Sequence, residues 1–285
     1  MRLEMLQLSG FDGAPLSVRR ALPDRGLPQR SLLWIHGLSE HGGRYDHVLE
    51  RWTRRGWQII LPDHRGHGLS GGTRSDVASF DDYLRDLQIV WRACDLHDRQ
   101  AAIFGHSMGG LLAIRAVQTG MLRPTAVALS SPLLGVRIPV PRWKTLLGSI
   151  LVCCAPRTRF KTHINPKNMT ADSEFLQRRL SDPLIQRTVT ARWFFAMQQA
   201  LAAAHRDAAK FDRPVLALQG GNDQTVDPAA VEPWLAKTAS TDREFAICPH
   251  NVHELLNDAG WEAIADRIAE WLELRTPENS TPSGC

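Results

Sequence analysis

Ala101-Ala102-Ile103-Phe104-Gly105-His106-Ser107-Met108-Gly109-Gly110-Leu111-Leu112-Ala113-Ile114 is the stretch that decides how this chain folds. The apolar run 101–104 reads as a buried strand that stops at Gly105, and the segment 107–117, rich in Leu, Ala and Ile, continues as a helix. Between them lies G-x-S-x-G. A serine on so sharp a strand-to-helix turn is held in a strained backbone conformation with its hydroxyl exposed, and the flanking glycines leave room for the bend. The helix that follows points its first amides, and the positive end of its dipole, at the space where an oxyanion would form. The pentapeptide alone is a weak signal, because an ordinary glycine-rich turn can carry it; the strand before and the helix after make it specific.

Outward from this unit, strands and helices alternate. Residues 4–8 and 15–20 read as a hairpin at a sheet edge, and 31–35 as a compact apolar strand followed by the polar loop His36-Gly37-Leu38-Ser39-Glu40-His41-Gly42-Gly43. A helix is expected over 44–55, ending at Gly56, then a strand over 57–61. Ser79 with Asp82 resembles a capping box opening an amphipathic helix to about residue 95. After the 101–117 unit come a strand over 126–129 and then, from about 135 to 207, a mainly helical block with no clear strand. Residues 214–219 (strand), 227–237 (helix), 244–248 (strand) and 260–274 (helix) restore the alternation. This pattern predicts an α/β fold, with a mostly parallel central sheet covered by helices on both faces. A single domain is expected over 1–275, with a core of 1–134 and 208–275, a helical cap insertion over 135–207 and a disordered tail over 276–285. The insertion is expected over the edge where the strands end, where such sheets bind ligands.

A serine hydroxyl is a poor nucleophile near neutral pH and needs a base, which in turn needs an orienting acid. The turn motif places them later in the chain, acid before histidine. Asp223, in Gln219-Gly220-Gly221-Asn222-Asp223, follows a strand and is the candidate acid; its rival Asp227 precedes Pro228 and reads as a helix N-cap. His253 and His250 both follow the 244–248 strand, and position alone does not decide between them. The two backbone donors of an oxyanion hole are expected at Met108, directly after the serine, and at Leu38, in the loop after the 31–35 strand.

Composition sets the class. Hydrophobic residues make up 43% of the 285 and charged residues 22%, ordinary for a globular protein with a sizeable core. The formal net charge of +4 is spread along the chain rather than gathered in a stripe, which argues against nucleic acid as a partner. Five cysteines (Cys94, Cys153, Cys154, Cys248, Cys285) without a spaced framework argue for a reducing compartment, and no leader pattern or membrane-length apolar run is evident. A cytoplasmic location is therefore expected, with the Asn-x-Thr matches at Asn168 and Asn279 unused. Gly66-His67-Gly68-Leu69-Ser70-Gly71 matches G-x-G-x-x-G but lacks the helix and the acidic strand end of a dinucleotide site. His253-Glu254-Leu255-Leu256-Asn257 lacks the second histidine of a zinc-protease helix. His36, His41, His64 and His67 are read as loop histidines rather than metal ligands. Residues 138–155, with Arg142 and Lys144 among apolar side chains, read either as a cap helix packed on the core or as an apolar rim for acyl chains or a membrane surface.

Taken together, the chain resembles the branch of α/β-hydrolases that contains monoacylglycerol lipases and lysophospholipases, a group with serine aminopeptidase S33-like members. The matching pieces are His36-Gly37-x-x-Glu40-His41, Tyr45, Asp63-His64-Arg65-Gly66-His67-Gly68-x-Ser70, Gly105-His106-Ser107-Met108-Gly109-Gly110, Ser131-Pro132, Asp182-Pro183-Leu184, Gly221-x-Asp223 and His253-Glu254. They span nearly the whole chain. The resemblance implies that His253 is the base and His250 a bystander, and it carries the acid to Asp223 and the oxyanion donors to Leu38 and Met108. It implies a serine carboxylic ester hydrolase that needs no metal or organic cofactor. The implied substrate is a small single-chain lipid ester, monoacylglycerol or lysophospholipid, with transient membrane contact through the cap. A peptidase or small-ester hydrolase on the same scaffold is the alternative, for which Glu174 or Asp172 could anchor a substrate amine. A non-catalytic binding protein is the remote one, disfavoured because all three triad residues are present.

Overall fold

The computed structural model describes residues 1–96, 101–137, 154–162 and 164–278. The strands are β1 (Arg2–Ser9), β2 (Pro15–Leu22), β3 (Arg30–Ile35), β4 (Trp57–Pro62), β5 (Ala102–His106), β6 (Val127–Ser130), β7 (Arg159–Lys161), β8 (Thr188–Thr190), β9 (Val215–Gly220) and β10 (Arg243–Cys248). The helices are α1 (Asp46–Arg54), α2 (Asp81–Ala93), α3 (Met108–Gln118), α4 (Ser173–Ser181), α5 (Ala191–Arg206), α6 (Val231–Leu235) and α7 (Trp261–Glu273). Eight strands form one sheet in the order β1-β2-β4-β3-β5-β6-β9-β10. The β1–β2 and β2–β4 pairs are antiparallel, and all other pairs are parallel. This is the α/β-hydrolase fold.

Burial explains the strand sequences. Residues of β4, β5, β6 and β9 are buried throughout, because helices cover both faces and leave no solvent side to alternate towards. Successive residues of β3 enter opposite layers. Leu33 and Ile35 join one apolar cluster with α2, α3, α5 and α6, while Leu32 and Trp34 join the other with α1 and α7. Trp34 anchors the second layer, its ring centroid 4.3 Å from Phe104, 4.7 Å from Tyr45 and 5.3 Å from Trp52. Burial of a side chain of this size stabilises the fold by about 2–3 kcal/mol.

The path of the chain positions the site. From β3 it passes through α1 to β4 on one side, then through α2 back to β5 on the other side. β3 and β5 are therefore neighbours whose following loops diverge to opposite faces, opening a crevice at their carboxyl ends. Leu38 and Ser107 lie at those ends.

Two features differ from the sequence reading. The block over 135–207 contains α4 and α5 but also a strand pair, β7 with β8, in antiparallel register. Each strand is three residues long with one apolar residue between two polar ones, Phe160 in β7 and Val189 in β8, too short for a period of two to be read. Thr276, the first residue of the expected tail, is buried; its carbonyl accepts from Arg30 Nε at 2.8 Å. Most of the apolar stretch expected as a cap helix (138–153) and the end of the tail (279–285) lie outside the described residues. Among the described residues no helix is long and apolar enough to cross a membrane.

Candidate active site

Ser107 alone makes the turn from β5 to α3, with φ 51° and ψ −116°, a conformation that costs a non-glycine residue roughly 1–3 kcal/mol. The surroundings over-determine it. Ser107 N donates to Ser130 O at 3.0 Å, and Ser107 O accepts from Gly110 N at 2.9 Å and Leu133 N at 3.0 Å. A Cβ on Gly109 would fall 2.0 Å from Ile35 O, and one on Gly105 would fall 2.6 Å from Gly109 O. Only glycine lets the helix start this close to β3 and β5. The β3 loop passes just as near, since a Cβ on Gly37 would lie 3.2 Å from that of Ser107. The Leu38 and Met108 amides flank Ser107 and have no acceptor among the described residues.

His253 and Asp223 reach the same point from the loops after β10 and β9. His253 Nε2 lies 2.9 Å from Ser107 Oγ, and His253 Nδ1 lies 2.7 Å from Asp223 Oδ2. The Asp223 carboxylate, fully buried, also accepts from Gln219 Nε2 (2.9 Å), Thr225 N (2.8 Å) and Val226 N (3.1 Å). Burial alone would raise its pKa, but the charge of His253 and these donated hydrogen bonds outweigh it, so the pKa lies below the usual carboxylate value. An ionised carboxylate only accepts, so Nδ1 carries the His253 proton and Nε2 is free to accept from the Ser107 hydroxyl. The rivals sit elsewhere. His250 is exposed, and Asp227 Oδ1 caps a helical turn by accepting from Ala229 N at 3.1 Å.

The loop histidines are internal struts. His64 N donates to His36 Nε2 at 3.0 Å, His36 Nδ1 donates to Gly37 O at 2.8 Å, and His67 Nδ1 donates to Arg65 O at 3.1 Å. Burial holds His64 down to about 3 and His67 to about 4, so both are neutral at physiological pH. The amides of the G-x-G-x-x-G segment serve the loop and its neighbour β2: Gly66 N donates to Gly71 O at 2.7 Å, and Gly71 N to Pro15 O at 2.8 Å. Asp172, a suggested amine anchor, caps α4 by accepting from Glu174 N at 2.8 Å and Phe175 N at 3.1 Å. Glu174, the other, forms an exposed ion pair with Arg178.

One cluster was not assigned a role from the sequence. Glu40, Arg44, Glu254 and Arg179 form a buried ion network behind His253. Arg44 Nη2 donates to Glu254 Oε2 at 2.7 Å and Arg44 Nη1 to Glu40 Oε2 at 3.0 Å; Arg179 Nη1 donates to Glu254 Oε1 at 2.6 Å. Glu40 also accepts from the Tyr45 hydroxyl at 2.8 Å and from Gly37 N, which ties the network to the Leu38 loop. The i,i+4 spacing of Glu40 and Arg44 was a readable signal; nothing local marks Arg179.

A strained serine between strand and helix, with a histidine and a buried carboxylate in series behind it, on this sheet order, defines a serine α/β-hydrolase. Residues 26–260 match the family model described as serine aminopeptidase, S33, and the chain belongs to that family. It is 29% identical over 239 residues to phospholipase YtpA of Bacillus subtilis, covering 83% of this chain and 92% of that protein. It is also 29% identical to an uncharacterized abhydrolase domain-containing protein of Dictyostelium discoideum, covering 95% of this chain but spanning only 29% of that protein. The crystal structure of Paleococcus ferrophilus monoacylglycerol lipase superposes with a TM-score of 0.79 at 26% identity, covering 95% of this chain and 98% of that one.

Proposed function

We propose that the protein cleaves a lipid ester carrying a single acyl chain, monoacylglycerol or lysophospholipid, through an acyl-enzyme on Ser107. The observation that carries this reading is the continuous hydrogen-bonded series Ser107–His253–Asp223 at the carboxyl edge of the sheet. Ser107 Oγ attacks the ester carbonyl carbon while His253 Nε2 takes its proton, and Asp223 holds the imidazole tautomer and balances the imidazolium. The Leu38 and Met108 amides donate to the oxyanion of the tetrahedral intermediate. Collapse breaks the bond to the alcohol oxygen, which leaves with the proton from His253. Water, deprotonated by His253, then releases the fatty acid and restores Ser107. Each step uses side chains and amides of this chain.

The substrate class is supported by the relatives, which include a phospholipase and a monoacylglycerol lipase. In this reading the described part of the insertion, residues 154–162 and 164–207, acts as a cap beside the crevice. A peripheral membrane encounter is part of the same reading, supported on the insertion by exposed Leu180 and by exposed Phe160 between exposed Arg159 and Lys161 in sequence. Hydrolysis of a long-chain monoacylglycerol, a lysophospholipid and a short-chain ester by the wild type and Ser107→Ala tests the proposal. Turnover of a long-chain lipid that vanishes in Ser107→Ala is the expected result. Cleavage of the short ester alone leaves the chemistry standing and overturns the substrate, and equal inertness towards all three overturns the hydrolase reading.

A further inference from the structure

The loop that carries His253 is gripped by the insertion. Glu254 N donates to Met169 O at 2.8 Å, and Asp258 Oδ1 accepts from Ala171 N at 2.8 Å and Thr170 Oγ1 at 3.3 Å. On the loop's own side, Asp258 Oδ2 accepts from Val252 N at 3.0 Å and Asn251 Nδ2 at 3.2 Å. The strongest of these ties is Arg179 on α4, whose side chain is 4% exposed and whose guanidinium meets Glu254, itself 3% exposed. Glu254 is the residue next to His253. With Glu40 and Arg44 it completes a set of two carboxylates and two guanidiniums, and the set is neutral only while Arg179 is in place.

We infer that Arg179 is a positioning residue: by pairing with Glu254 it holds the His253 loop against Ser107 and keeps the buried charge behind His253 balanced. This rests on the proposed roles of Ser107, His253 and Asp223. The insertion is then part of the catalytic framework along α4, and it cannot swing away as one body without breaking a buried ion pair. The charged and titratable groups around His253 come from every packed element. They are Asp223 after β9, His106 at the end of β5 (ring centroids 4.9 Å apart), Glu40 and Arg44 from the β3 loop and the turn before α1, and Glu254 with Arg179. Arg137, after β6, donates to Asp223 O at 2.7 Å. Burial lowers the pKa of His106 below the usual imidazole value, which favours its neutral form.

The sign of the effect follows. Arg179→Met leaves one buried carboxylate unbalanced, which favours the imidazolium and moves the acidic limb of kcat/KM to higher pH by about half a unit to one unit. Glu254→Gln leaves one guanidinium unbalanced and moves the limb to lower pH. The double variant, Arg179→Met with Glu254→Gln, is neutral again, so its limb returns to the wild-type position although kcat stays low. Arg179→Lys keeps the charge and the limb. For Arg179→Met, kcat falls roughly tenfold with KM within about twofold, because the lost guanidinium meets Glu254 and its loss misplaces the base.

The experiment is the pH profile of ester hydrolysis for these four variants, each checked for folding by circular dichroism, beside wild type and Ser107→Ala. Opposite displacements of the limb that cancel in the double variant support the inference. Limbs that stay put, or move the same way in both single variants, overturn it. If Arg179→Met does not fold, the comparison of Glu254→Gln with the double variant makes the same decision. Activity surviving in Ser107→Ala would instead sink the triad reading, an outcome separate from these shifts.

Discussion

The loop that carries Ser107 and the loop that carries His253 meet across 2.9 Å, yet the chain holds them by different means. Around Ser107 the grip is steric and local: Gly105 and Gly109 admit no Cβ, and β5, α3 and their buried neighbours leave the backbone one course. Around His253 the grip is polar and assembled from distant segments. Outside that loop, the residues that tie down positions 251–258 lie at 44–47, 169–179 and 222–223, in other parts of the chain. A nucleophile built into a strand–helix junction needs little help from elsewhere, whereas a base on an irregular loop must be pinned by hydrogen bonds and charges that only folding brings together.

This contrast can be broken at its shared acid first. Asp223→Asn should lower kcat about 10⁴-fold, because the amide stabilises the wrong imidazole tautomer; a steady-state assay with unchanged thermal stability checks it. Gly109→Ala attacks the steric side. Its methyl would meet Ile35 O, and we expect a loss of roughly 4 kcal/mol in urea unfolding or no folded protein at all. Asp258→Ala attacks the polar side by removing the carboxylate that accepts from Ala171 N, Val252 N and Thr170 Oγ1 and that is one of two acceptors for Asn251 Nδ2. A loss of about 2–3 kcal/mol is expected, with kcat falling about tenfold while KM stays unchanged, a split that the steric variant should not show.

Acid should also strike the site unevenly. His64 and His67 are neutral in the fold down to about 3 and about 4, against an unfolded value of 6.5. Below pH 6.5 the unfolded chain therefore binds more protons than the folded one, so stability is complete above that pH and is lost as pH falls towards 4. Each of the two contributes about 1.4 kcal/mol per pH unit within that window. Urea melts at pH 6.5, 5.5 and 4.5 should show at least this slope, since burial lowers His36 too, and His67→Gln should remove about one proton from it.

The sheet was legible because its signals are local. Apolar runs of four to six residues bounded by Gly, Pro or polar loops mark β3, β4, β5, β6 and β9, and the Ser107 turn announces itself in five residues. Asp223 was separable from Asp227 because a cap before Pro228 has its own signature. His253 was not separable from His250 by position; the family resemblance chose it, and the structure brings His253 to Ser107 and leaves His250 exposed. The three-residue strands β7 and β8 escaped because one apolar residue between two polar ones is too short a pattern to read, so their pairing depends on where their neighbours place them.

By itself, then, the sequence determined the alternating architecture, the strained serine and the chemistry a serine there requires, since each rests on residues within a few positions of one another. Tertiary structure alone decided which side chains stand behind His253. Arg179 and Glu254 are 75 positions apart and nothing local marks Arg179, yet a buried charge tolerates no vacancy opposite it, and folding puts the two together at 2.6 Å.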